Sequence, residues 1–472
     1  MPDAITMIAV WNGAEIARSD DCLIVEGSYY FPLTSIDRDL LRPGPHRSRC
    51  PMKGEASYFD LRVDGHSLSH AAWFYANPAA AFVHLENRVA FWRGVQVLEA
   101  GEQAHAVDST AAASAQDPAE QERLYEFLSK IPKTEIHLHL EALVSCESIY
   151  RLMRENQVNI DGVESQGDLL RRFQVRTLEQ FIDLYINVIQ PCLLKAQDFD
   201  LILRDARDYL KRNRIYYAEI FWAPTKFMQN GLEYAEMLDV LDAGARRIKS
   251  EDNIHIKFLV DLSRSYGPEN AGRNLDLVLA HPRDCVIGVG LGGAEENNPA
   301  RDYEAVFERA REAGLHAVAH AGEAVGPSQV WEAIRTLQVE RIGHGTSAVL
   351  DERLLDHLAE TQLPLEVCPS SNVFTRAYVH ELREHPIRNF FERGLNVTVN
   401  TDDPTIFGIE LSDEYLNLYN HCGFDLNEIL VLIRNNLNAS FLSDRNKANC
   451  WRQVRERVAK LQDRLGFQLT IP

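Results

Sequence analysis

Eight short apolar runs recur along the chain, at residues 135–140, 217–222, 256–260, 286–289, 317–320, 341–344, 365–368 and 397–400. Several close on a polar residue (His320, His344, Asn400), and longer amphipathic stretches separate them. Short apolar runs without strict alternation read as strands covered on both faces, and intervening helices supply that cover. Eight such units predict an α/β fold closed as a parallel (β/α)8 barrel, whose chemistry gathers at the carboxyl ends of the strands. One connection is too long for a single strand-to-helix link, residues 143–214. Leu178, Phe181, Ile182 and Tyr185 recur there at three and four, which predicts helix able to fold over the barrel mouth.

The first hundred residues have another rhythm. Short runs such as Cys22-Leu23-Ile24-Val25 and residues 56–63 are rich in β-branched and aromatic side chains. Turn signals separate them, at Asn12-Gly13, Glu26-Gly27, Pro43-Gly44 and Asp64-Gly65. A small, mainly β domain over residues 1–100 is predicted. Residues 101–121 carry almost nothing large and apolar, so a linker is predicted there, with the barrel over 122–472.

Hydrophobic residues are 45% and charged residues 25% of the 472, the balance of an ordinary soluble globular chain. The formal net charge of −20 argues against nucleic-acid backbones and anionic membranes as partners, since both repel a polyanion. Eight scattered cysteines form no C-x-x-C pair, and neither a signal peptide nor an apolar run long enough to span a bilayer is read. A reduced, cytoplasmic setting is the expectation.

The strand ends carry the chemistry. His137 and His139 are two apart, so on a strand both can meet one metal ion. Alone, such a pair fits surface or core histidines as well. Three further strand ends add His320 in His-Ala-Gly-Glu, His344 in Gly-His-Gly, and Asp402-Asp403 after Asn400-Thr401. Three imidazoles and a carboxylate suit a divalent ion such as zinc, with a position left for water. A hydrolase also needs a proton acceptor beside the water and a donor beside the leaving group. His344 and Glu323 have the right chemistry.

Residues 132–141, Pro-Lys-Thr-Glu-Ile-His-Leu-His-Leu-Glu, resemble the opening motif of the adenosine deaminase family of metal-dependent hydrolase barrels. His320-Ala321-Gly322-Glu323, Arg341-Ile342-Gly343-His344-Gly345, Cys368-Pro369-Ser370-Ser371-Asn372 and Asn400-Thr401-Asp402-Asp403-Pro404 resemble its later motifs, in order, over roughly residues 125–460. The resemblance implies one zinc ion per chain on His137, His139, His320 and Asp402. It implies Glu323 as the acid at purine N1 and His344 as the base at the attacking water. Substrate contacts would come from Glu141, from the Gly293 backbone N–H at N3, and from Asp403 accepting a hydrogen bond at the N7 side. The implied reaction is hydrolytic deamination at C6 of a small-molecule purine nucleoside, adenosine first and a 5′-extended adenine nucleoside such as 6-aminodeoxyfutalosine second.

Two departures bear on substrate. Ala142 follows Glu141 where the family usually has Gly, and Gly290-Leu291-Gly292-Gly293-Ala294-Glu295 stands where it commonly has Asp-Leu-Ala-Gly-Asp-Glu. With acids missing at Gly290 and Ala294, a less strict site with added room at the ribose end is predicted. Residues 7–98 resemble a small bacterial domain family of unknown function, which lends no activity; the tryptophans Trp11, Trp73 and Trp92 are read as its core. The cytidine-type zinc signature is absent: His84-Leu85-Glu86 gives its first half, and Pro191-Cys192 lacks the second cysteine. A non-catalytic purine-binding barrel remains the rival from another class.

Overall fold

The computed structural model describes residues 6–11, 14–25, 28–50, 53–63, 66–91, 95–100, 118–175 and 178–472. Most of the predicted linker (101–117), the turns predicted at 12–13, 26–27 and 64–65, and Trp92 lie outside the described residues. The chain divides into two compact units, Met1–Glu122 and Arg123–Pro472.

In the first unit a three-stranded antiparallel sheet places Met7–Trp11 between Ala14–Ser19 and Gln96–Glu99. A six-stranded antiparallel sheet runs Leu23–Val25, Ser28–Pro32, Arg88–Phe91, His66–Tyr75, Gly54–Val63, Leu41–Cys50. Its core is apolar and aromatic, with Phe31 edge-on to Phe91 at 5.5 Å and Trp11 packed at its margin. Trp73 donates its indole N–H to the Tyr30 hydroxyl at 3.0 Å, so the amphipathic ring is both packed and satisfied.

The second unit is the predicted barrel. Its eight parallel strands follow chain order: β1 Lys133–His139, β2 Ile215–Trp222, β3 His255–Asp261, β4 Val286–Leu291, β5 His316–Ala321, β6 Arg341–His344, β7 Leu365–Val367 and β8 Val397–Val399. The sheet closes where Leu138 pairs with Asp402, with backbone bonds from His139 N to Asp402 O and from Asp402 N to His137 O. That seam lays the chain after β8 against the histidine pair of β1. Nearly every strand residue is buried, as expected of strands covered on both sides.

A helix, Pro118–Lys130, begins inside the stretch predicted as linker. Proline suits a first helical turn, and Leu124, Phe127 and Leu128 at helical spacing are buried. The long connection is mostly helical and includes Leu178–Leu184 running into a π-turn at Tyr185–Ile189. The Phe181 ring lies 5.7 Å from Phe407 and 6.5 Å from Phe374, both on helices that follow β8 and β7. This segment therefore covers the carboxyl end of the barrel. No helix among the described residues is long and apolar enough to cross a membrane.

Candidate active site and metal centre

Strand periodicity and the barrel seam gather one donor set. The ligand-type atoms of His137, His139, His320 and Asp402 all lie within 4.8 Å of one another. His139 Nε2 is 3.2 Å from His320 Nε2 and 3.2 Å from Asp402 Oδ1, which lies 3.4 Å from His137 Nε2. Gly343 makes room for this packing, since a Cβ there would stand 2.9 Å from His137 Cε1 and 3.2 Å from the His320 Cα. Asp402 (φ 66°) and His344 (φ 60°) hold positive-φ backbone, which side chains adopt uncommonly and which turns both residues at their strand ends.

The donor set fits a metal ion on three counts. His137 Nε2 and Asp402 Oδ1 are buried without a hydrogen-bond partner, although they face each other. The two Nε2 atoms of His139 and His320 meet with at most one proton to share. Burial lowers the pKa of His137 and His139, yet Asp402 on both and Glu366 on His137 override it and lift them to about 9 and about 10. Asp402 thus draws positive charge to this cluster, and three imidazoles with one carboxylate suit a zinc-like ion.

Behind the donors stands a second ring of bonds. Glu366 Oε2 takes His137 Nδ1 at 2.6 Å, while its Oε1 takes Arg341 Nε at 2.5 Å. Arg341 also reaches Glu219 Oε2 at 2.6 Å, and all three are fully buried. Ser371 donates to Asp402 Oδ2 at 2.7 Å.

His344 is fixed by a relay that assigns its tautomer. Ile387 N–H donates to His385 Nδ1 at 3.0 Å, so neutral His385 carries its proton on Nε2 and gives it to Asn372 Oδ1 at 3.2 Å. Asn372 then donates its amide to His344 Nδ1 at 3.1 Å. Burial pushes His344 down to about 3, so it is neutral with its proton on Nε2, 3.4 Å from Glu323 Oε2. Burial first, then the charge of Asp402, pushes the carboxyls of Glu323 and Asp403 well above their ordinary range. Glu141 is fully buried, takes the Ala223 N–H at 3.0 Å through Oε1, and leaves Oε2 without a partner.

Other residues near the strand ends stand outside the donor set. His316 opens β5 at the far end, bonded to Glu340 at 3.0 Å and stacked on Phe441 at 3.7 Å. Cys368 is buried beside His344 and Asp402, and burial holds its thiol well above the ordinary range, which suits packing better than nucleophilic attack. Gly293 has φ +87°, where a Cβ would meet Ser265 Oγ at 2.6 Å. The room predicted at Gly290 is taken, since a Cβ there would lie 2.7 Å from the Phe221 ring. Glu366, Arg341, Asn372 and His385 were missed as site residues. The available signal was a charge or imidazole inside otherwise apolar surroundings, which must find a partner once buried.

A model of the adenosine deaminase family matches residues 132–459. A model of a domain of unknown function, DUF427, matches residues 2–102. The barrel is 34% identical over 335 residues to the aminodeoxyfutalosine deaminase of Streptomyces coelicolor, covering 70% of this chain and 86% of that one. It is 35% identical over 320 residues to the adenine deaminase of Bordetella parapertussis, covering 67% and 98%. Among solved structures, the adenine deaminase from Arthrobacter aurescens superposes with a TM-score of 0.66 at 32% identity, covering 70% of this chain and 99% of that one.

Proposed function

Because the chain belongs to the adenosine deaminase family, we propose that it hydrolyses the exocyclic amine from C6 of an adenine-type nucleoside, with one zinc ion held by His137, His139, His320 and Asp402. A carbon–oxygen bond forms at C6, the carbon–nitrogen bond breaks, ammonia leaves and a 6-oxo purine remains. The convergent donor set, with Glu323 Oε2 3.4 Å from His344 Nε2 beside it, is the observation that carries this reading. A divalent ion bound there supplies the Lewis acidity that lets water attack at neutral pH.

The chain's own residues do the rest. Glu323, half-buried and with its carboxyl pushed above the ordinary range by desolvation and the charge of Asp402, gives its proton to N1, which leaves C6 electron-poor. Its carboxylate is then free to take a proton from the attacking water and pass it to the departing amine. His344 holds the water through Nε2–H. The Asn372 relay thereby narrows its role from the expected proton acceptor to a hydrogen-bond donor that aims the oxygen at C6. Asp403 also changes sense: N7 of adenine offers a lone pair, so a protonated Asp403 donates to it rather than accepts. The free Oε2 of Glu141 accepts from a sugar hydroxyl, and Gly293 N–H meets N3.

Adenosine is the compact substrate of this class. Similarity to the Streptomyces enzyme favours a 5′-extended nucleoside as the second reading, and similarity to the Bordetella enzyme adds free adenine. The test measures ammonia release by zinc-loaded protein from adenine, adenosine, deoxyadenosine, S-adenosylhomocysteine and 6-aminodeoxyfutalosine. Turnover of adenosine or the 5′-extended nucleoside above adenine supports the nucleoside reading. Turnover of adenine alone overturns it, and no ammonia from any of them overturns deamination altogether.

A further inference from the structure

Glu295 lies in the loop after β4, outside the donor set, and is nevertheless 4% exposed. Its carboxylate receives three backbone N–H groups: Gly322 at 2.6 Å on Oε1, and Ala324 at 2.6 Å and Val325 at 2.9 Å on Oε2. These three amides bracket Glu323. We infer that Glu295 is the positioning residue for the proton donor: one carboxylate gathers the amides on both sides of Glu323 and sets where its side chain leaves the loop.

Each end of the clamp is itself built in. The Asn298 side chain donates to Ala294 O at 3.1 Å and Glu296 O at 2.9 Å, the carbonyls on either side of Glu295, and Asn298 N donates to Glu295 O at 3.3 Å. Arg264, fully buried, ties that loop to β5 by donating to Asn298 O at 3.0 Å and to His320 O at 2.6 Å. On the receiving side Gly322 takes φ +73°, and a Cβ there would sit 2.4 Å from Ser347 Oγ and 2.6 Å from Val330 Cγ2. Ser347 N donates to Gly322 O at 2.9 Å. The 322–325 turn cannot take a larger residue at 322, and three of its amides take the Glu295 carboxylate as their acceptor. Charge-assisted bonds of this kind are about twice as strong as neutral ones. A displacement of about 1 Å at a reacting group costs ~10²-fold in rate.

The inference rests on the reading of Glu323 as the acid, and the test separates the two. Glu295→Gln keeps the volume and puts N–H donors against N–H donors. It should lower kcat by about 10- to 100-fold, with KM and bound metal within a few-fold of the parent. In a Glu323→Gln background the same change should cost nothing further, because its effect passes through Glu323. Glu295→Asp, which keeps the charge on a shorter arm, should recover part of kcat, and it replaces the Gln variant in the cycle if that chain is insoluble. Hydrogen exchange of the amides at 322, 324 and 325 should speed up in the variants while β5 stays protected. An equal loss in both backgrounds, parent-like kcat, or unchanged exchange at those amides overturns the inference. A parent that deaminates nothing overturns the proposed function instead, and the exchange measurement then still decides whether Glu295 holds the turn.

Discussion

Glu366→Gln separates what holds the barrel together from what tunes the donor set. The carboxylate is fully buried and serves two cations or cation-like groups on separate oxygens, His137 Nδ1 at 2.6 Å and Arg341 Nε at 2.5 Å. Breaking a buried ion pair outright costs ~3–5 kcal/mol. Arg341 keeps Glu219 at 2.6 Å, so the metal-free variant should lose less, about 2–3 kcal/mol by the same scale. A second loss appears only with metal. An amide cannot polarise His137 as a carboxylate does, and removing such an outer partner typically weakens metal binding ~10–100-fold. That factor is ~1.4–2.7 kcal/mol, and at saturating zinc it adds to the unfolding difference by linkage.

The assay is urea unfolding of parent and variant, each chelated and zinc-loaded, with zinc affinity measured by competition against a chromophoric chelator. The loss should be larger loaded than chelated, by the free energy that the competition gives. The acid side carries its own sign. Burial raises the Glu366 carboxyl, but Arg341 and His137 outweigh it and hold it below its ordinary range. Its contribution is therefore complete above the unfolded value of about 4.3 and fades as pH falls through the lower folded one, so parent and variant should converge in acid. Equal losses with and without zinc, and zinc affinity within two-fold of the parent, would refute the orienting role and leave Glu366 a purely structural partner of Arg341.

Glu323→Gln should keep its zinc and lose ~10²–10⁴-fold in kcat, the usual worth of a positioned acid; turnover within a few-fold of the parent would remove Glu323 from that role. A chain beginning at Pro118, where the helix Pro118–Lys130 starts, should fold, bind one zinc and keep substantial turnover. Insoluble protein, or turnover lost with zinc still bound, would show that the first unit completes the site.

What the sequence made legible follows from what is local. All eight strands could be read because each is a short run whose burial on both faces excludes polar residues from most positions. The donor residues could be read because strand ends are where a barrel places chemistry, and because His137 and His139 share one face. Partner choice is another matter. Glu366 and His137 are 229 residues apart, Glu295 and Gly322 27 apart, and Asn372 and His344 28 apart. No periodicity links such pairs; only the closed barrel, which brings strand ends together across one another, does. Glu366 sits between Leu365 and Val367 in the seventh run, and a carboxylate inside such a run signals a cation that the sequence does not name. The proton senses of His344 and Asp403 were equally out of reach, since they depend on burial and on which nitrogen a neighbouring amide occupies.

The missing acids after β4 have a structural cause that lies with the donor set. Phe221, at the end of β2, packs its ring 5.0 Å from His137, 5.3 Å from His139 and 5.1 Å from His320. An apolar wall there keeps those imidazoles from rotating away from their common point. The ring needs the volume above position 290, so a side chain at Gly290 would collide with it. The next glycine is displaced by a carboxylate instead: Asp261 at the end of β3 takes the N–H groups of Ser263 and Gly292 at 2.8 Å each, and its Oδ2 lies 2.5 Å from where a Gly292 Cβ would stand. Asp261 thus keeps a carboxylate against the backbone of Gly292, while the Phe221 ring fills the volume above Gly290. The charges of Glu141, Asp403 and Asp261 also meet at the Tyr185 phenol, whose pKa is held well above its ordinary range by burial first and then by those charges.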